Sequence, residues 1–167
     1  RNSLYSAVAQ NVGRASVWGG ELALGADLLR HLRMDVAATG LKSEMRSDEV
    51  ALDGKPLPLR PETSLNGRLT GYTTASDGDE LAAFFDVNVR GPYTYDLAGL
   101  ARANGSVEWG GGARWSLGTD PALGSAGRLS LEARILNAGD ASSVDLLGYP
   151  RPGRRWAVQI AWREDGL

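Results

Sequence analysis

Over most of its length this chain alternates apolar and polar residues one for one, and that period of two restricts it to pleated strands with one apolar face. In residues 81–90, Leu81, Ala83, Phe85, Val87 and Val89 fall on one face, and Ala82, Phe84, Asp86, Asn88 and Arg90 on the other. Residues 128–136 set Leu129, Leu131, Ala133 and Ile135 against Arg128, Ser130, Glu132 and Arg134, with Leu136 breaking the rule at the end. In residues 156–163 the apolar row Trp156, Val158, Ile160 and Trp162 has an aromatic residue at each end. The segments 17–24, 32–39, 65–72 and 107–117 alternate in the same way, and a weaker one near 4–9 would supply a further strand. The fold class expected is therefore all-β and antiparallel.

The apolar residues never accumulate into a helical span. The longest uninterrupted apolar run is Leu81 to Phe85, far below the roughly 18 residues that read as a transmembrane helix. An apolar row bounded by tryptophans suggests instead the lipid-facing band of a transmembrane β-barrel with its two interfacial girdles. The opposite row carries charges of both signs (Glu21, Arg33, Asp35, Arg68, Asp86, Arg90, Glu108, Arg114, Glu132, Arg134), as a wet or plugged lumen would, and cross-strand pairing among them is expected. Connections alternate in length. Short ones near 27–30, 76–79 and 119–126 read as periplasmic turns, and long ones near 47–61, 91–105 and 138–152 as extracellular loops. The expectation is a barrel segment of about eight strands. A soluble sandwich or lipocalin-like barrel alternates too, and pattern alone does not say which row is inside.

Several function classes are disfavoured. The net charge of −2 lacks the basic field that nucleic-acid binding requires. With no cysteine there is no disulfide framework, thiolate metal site or cysteine nucleophile. The single histidine, His31, sits beside a short turn, badly placed for a hydrolase triad, so no catalytic residue is assigned. Asp48, Glu49 and Asp53 in a long loop, and Asp77 and Asp79 in a turn, match no calcium-loop spacing and read as solvated acids; neither a metal centre nor a cofactor is expected. The exposed groups best suited to touching a ligand are Tyr93, Tyr95 and Asp96 in one long loop and Tyr149 in the last.

The last third of the chain resembles a known family. The run Leu129-Ser130-Leu131-Glu132-Ala133-Arg134-Ile135-Leu136-Asn137-Ala138-Gly139-Asp140, followed by Leu147-Gly148-Tyr149-Pro150-Arg151-Pro152-Gly153-Arg154-Arg155-Trp156, is similar to the two closing strands of TonB-dependent outer-membrane receptors. Upstream, Asn11-Val12-Gly13-Arg14-Ala15 with Gly20-Glu21-Leu22, and the proline loop Gly54 to Pro61, resemble earlier segments of the same family in the same order. The family's chain usually stops on an aromatic residue; Trp162 occupies that position here and is followed by Arg163-Glu164-Asp165-Gly166-Leu167.

The resemblance implies that residues 1–167 are the C-terminal portion of a receptor barrel of about 22 strands, a fragment without the N-terminal plug. It implies location in the bacterial outer membrane among its lipids, uptake of a scarce extracellular ligand (siderophore, another metal chelate, cobalamin or a glycan), and contact with TonB through the missing part. The alternatives are a small self-contained structural barrel and a soluble ligand-binding barrel. The length of the parent reading frame distinguishes the first of these from a receptor.

Overall fold

The computed structural model describes residues 13–75, 78–117, 127–146 and 148–164. The weak strand near 4–9, the connection at 119–126, Asn11, Val12, Asp77, Leu147 and the tail 165–167 lie outside the described residues. Among the described residues there is no helix.

All seven of the other expected strands are present. β1 (Arg14–Leu29), β2 (Leu32–Arg46), β3 (Thr63–Thr74), β4 (Glu80–Arg90), β7 (Ser106–Leu117), β8 (Gly127–Leu136) and β11 (Arg155–Glu164) form one seven-stranded sheet in chain order. Two small hairpins sit in the long loops: β5 (Tyr93–Thr94) with β6 (Arg102–Ala103), and β9 (Val144–Leu146) with β10 (Tyr149–Pro150). Every pairing in the large sheet is antiparallel, so the tight turns gather at one end and the long loops at the other. Among the described residues the sheet is open, with β1 and β11 as its edges.

The two rows differ in exposure as well as in chemistry. On the central strands Leu81, Phe85, Trp109 and Trp115 of the apolar row are 52%, 48%, 46% and 46% exposed, while Ala82 and Ser116 of the other row are buried. The polar row lines the concave side, a trough of about 720 Å3 that runs from Arg33 and Asp35 near the turns to Glu108 and Arg151 near the loops. The larger trough lies against the polar row, as in a barrel with a wet interior, whereas a soluble ligand-binding barrel encloses its apolar row. All five tryptophans lie in the outer row: Trp18, Trp109 and Trp156 toward the loop end, Trp115 and Trp162 toward the turn end. The Trp115 indole donates to Asp79 Oδ2 in the adjoining turn at 2.9 Å, its ring apolar and its N–H turned to the polar side.

Two strand limits differ from the pattern. The first turn is Arg30-His31 rather than 27–30, because a bulge at Leu28 shifts the register between Asp27 and Leu29 and lets β1 continue. β2 runs well past Thr39, to Arg46, because its alternation inverts at Gly40. Below Gly40 the outward residues are Met34, Val36 and Ala38; above it they are Lys42, Glu44 and Arg46, while the inward Ser43 and Met45 become buried. Met45 is fully buried beneath the loop that follows: its N–H donates to Lys55 O at 2.8 Å, its carbonyl accepts from Gly54 N at 2.9 Å, and Leu52 is buried with it. The strand thus leaves the apolar band and enters a small watery-side core.

Candidate functional site

Most charges of the inner row lie near an opposite charge. Arg68 lies directly opposite Asp86 and holds it with two hydrogen bonds, Nε to Oδ1 at 2.6 Å and Nη2 to Oδ2 at 2.9 Å. Its guanidinium also lies 4.5 Å from the centroid of the Phe84 ring. Phe84 has room there because its register partner is Gly112, where a Cβ would come within 2.8 Å of the ring. Toward the turns, Arg33 donates to Asp35 at 2.9 Å and approaches Asp27 at 3.5 Å. Toward the loops, Asn88 donates to Asn66. Half-exposed pairs of this kind contribute little each, about 0–1 kcal/mol; their effect is to keep the wall charged yet matched.

At the loop end the long connections fold over the trough and lock together. Tyr93, on β5, donates its hydroxyl to the carbonyl of Val144 at 2.8 Å, and Tyr95 donates to the same carbonyl at 3.1 Å. Arg90 at the end of β4 pairs with Asp145. Arg151 Nη1 lies 2.8 Å from Glu108 Oε1 on β7, close enough for an ion pair although its angle falls outside that of a hydrogen bond. Ser143 donates to the same carboxylate at 3.2 Å. Leu59, in the left-handed region at φ 59°, donates its N–H to Thr94 O at 2.7 Å and joins the 47–62 loop to the other two. The Asn137 corner is held by its own side chain, which donates to Ala141 O at 2.9 Å and accepts from Ala141 N at 2.8 Å.

This arrangement corrects the expectation that Tyr93 and its neighbours are exposed. Tyr93 is 6% exposed and Tyr95 half-buried, because both hydroxyls are used by the facing loop. Burial first, and the adjacent Tyr93 second, hold the Tyr95 hydroxyl above the usual phenol range. Asp96 closes its own hairpin, accepting from Ala101 N at 2.7 Å and Leu100 N at 3.1 Å, and those amides, Ala101 first, keep its carboxyl below the usual carboxylate range. Tyr149 alone of the four is open, at 69% exposure. A cavity of about 240 Å3 separates the two loops, bordered by Tyr93, Tyr95, Arg102, Asn104, Ser142 and Val144. The role of Arg151 was not singled out from sequence, since it acts through Glu108, a neighbour distant in the chain.

His31 lies at the opposite end, edge-on to Tyr72 with ring centroids 6.0 Å apart. Among the described residues no cluster of histidine and carboxylate groups could hold a metal ion. The loop end brings together aromatic rings, paired charges and one open tyrosine over a polar trough.

No family model and no curated protein matches the chain. Solved structures do. The ferric preacinetobactin receptor BauA from Acinetobacter baumannii is similar at a TM-score of 0.74 and 15% identity, over 89% of this chain and 22% of that one. The ferric yersiniabactin uptake receptor FyuA from Yersinia pestis is similar at 0.65 and 17% identity, over 92% of this chain and 24% of that one. The chain thus spans less than a quarter of the length of either receptor. At such identities it is the fold that is shared, and the fold of this chain is that of a stretch of receptor β-barrel, similar to the barrels of the TonB-dependent receptors its sequence resembles.

Proposed function

We propose that the chain is the C-terminal part of the barrel of a bacterial outer-membrane receptor that takes up a scarce ligand in a TonB-dependent manner. The observation that carries this reading is the sheet that curves around its paired polar row, turns an apolar row with tryptophan ends outward, and is capped at one end by long interlocked loops. A receptor needs all three: a lipid-facing outside, a wet inside and a ligand-facing end. The small structural barrel explains the first but gives no reason for the third. Among ligands a ferric chelate is favoured, because the two structures named above are a ferric preacinetobactin receptor and a ferric yersiniabactin uptake receptor. Tyr149 is the contact residue of choice, with Tyr93, Tyr95 and Asp96 shaping the surface it belongs to.

The test uses the full-length parent protein in detergent, with tryptophan fluorescence followed while ferric chelates, cobalamin and a maltodextrin are added. Saturable quenching by a ferric chelate, weakened in Tyr149→Ala, is expected. Deletion of the parent gene should abolish uptake of the same chelate, as should deletion of TonB. Unchanged uptake of every compound in the deletion strain would overturn the reading.

A further inference from the structure

Above the upper tryptophans the outward face of β1 and β2 changes from apolar to cationic. Trp18 stands opposite Lys42, Ser16 opposite Glu44, and Arg14 opposite Arg46. These residues share the parity of Leu22 and Ala38, so they point away from the trough, and Arg14, Lys42 and Arg46 are all exposed. Two arginines directly opposite each other on one face repel. Glu44 relieves only Arg46, 3.0 Å away; among the described residues neither Arg14 nor Lys42 has a carboxylate within ion-pair distance. Among the described residues the arrangement has three cations and one anion on this face.

The height of the patch says what does partner it. Trp18 and Lys42 end the apolar row, and Arg14 and Arg46 lie four residues further along their strands. At ~3.4 Å per residue and a tilt of about 40°, that is roughly 10 Å above the tryptophan. The headgroup layer on each side of a bilayer is ~5–8 Å thick, and an arginine side chain can reach back down toward it. Lys42 therefore enters the headgroup layer from below and the two arginines from above. We propose that Arg14, Lys42 and Arg46 form a binding patch for the phosphate groups of an anionic lipid in the leaflet at the loop end. Charge complementarity selects the occupant: guanidinium groups pair with phosphate in fixed forked geometry, and a lipid brings that phosphate to the right height while its chains cover Leu22 and Leu24 below.

This inference rests on the membrane reading of the outer row, and the experiment separates the two. The full-length parent is reconstituted with diphosphorylated or dephosphorylated lipid A, and retained lipid is measured by native mass spectrometry. Wild type should hold the diphosphorylated form, and the Arg14→Gln/Arg46→Gln pair should hold it more weakly by about tenfold to thirtyfold, the effect of removing two surface cations. Arg128→Gln/Arg163→Gln changes net charge equally on the inner row at the turn end and should leave retention unchanged. Equal retention by wild type and the Arg14/Arg46 variant would overturn the patch, as would equal loss in the inner-row control. Displacement by millimolar inorganic phosphate would also overturn it, since a free anion would then be the occupant. Tryptophan quenching by brominated lipid reports the outer row separately. If wild type shows none, the membrane reading fails; if quenching is intact and phosphate makes no difference, only the patch fails.

Discussion

Neighbouring residues of β11 should respond oppositely to the same substitution. Val158 and Ile160 lie between Trp156 and Trp162 on the outward row, and Gln159 between them points into the trough, opposite Glu132. The midpoint of the two tryptophans falls at Gln159, so Val158 is displaced by one residue, roughly 3 Å along the membrane normal for strands tilted at ~40°. Arginine on the lipid face near the midplane of a barrel costs about 2–4 kcal/mol, a factor of roughly 30 to 1,000 in the folding equilibrium. Arginine at position 159 gains an opposite-charge cross-strand pair with Glu132, worth about 0.2–1 kcal/mol in the other direction. Val158→Arg in the full-length parent should therefore lower the urea midpoint of the inserted barrel sharply, while Gln159→Arg leaves it unchanged or raises it. Trp156→Arg, at the interface, should cost only about 0–1 kcal/mol beyond the lost ring. If Val158→Arg were tolerated and Gln159→Arg destabilising, the rows would be assigned backwards and the barrel reading refuted.

Single cysteines at Leu100 and at Arg30, both exposed and at opposite ends of the sheet, should label differently on intact cells with a membrane-impermeant thiol reagent: Leu100→Cys reacts and Arg30→Cys does not. The reverse pattern would put the long loops on the periplasmic side. Tyr93→Phe removes the hydroxyl that reaches Val144 and should cost about 0.5–1.5 kcal/mol, read as faster proteolysis within 137–154, whereas Tyr149→Ala should leave proteolysis unchanged and weaken ligand binding. Asp96 titrates lower in the folded loop than in the unfolded chain, so its contribution is present above the ordinary carboxylate range and lost as pH falls through and below it. Amide exchange at Leu100 and Ala101, corrected for intrinsic rate, should accelerate in that acid window, and Asp96→Ala should abolish the acceleration by making exchange fast at neutral pH.

The strands were legible because a lipid-facing row and a lumen-facing row leave the same mark at every second residue, and the paired tryptophans mark the ends of the band. What was illegible lies where that logic stops. β2 continues beyond Gly40 with its faces exchanged, so Lys42 and Met45 read as a broken pattern when they are an intact strand outside the apolar layer. Leu136, the exception in its segment, faces inward opposite Arg155 under the last loop. The burial of Tyr93 depends on Val144, a partner with no local trace in the sequence around either residue. Alternation carries information about the wall; the cap is written in contacts between loops.

The open sheet has a consequence for how the chain enters a membrane. On an antiparallel edge every second residue turns both its N–H and its C=O outward, so the ten residues of β11 present about ten unpaired polar groups. In hydrocarbon each costs several kcal/mol, a sum of some tens, far above the ~5–15 kcal/mol that stabilises a typical domain. β1, with 16 residues, is in a worse position at the other edge. Neither strand can cross the lipid ahead of the neighbour that pairs with it. On the proposed receptor reading, insertion of this segment is tied to the strands that would pair with these two edges: cut off from such partners, β1 and β11 should drive the segment to aggregate in water or stall at the bilayer surface.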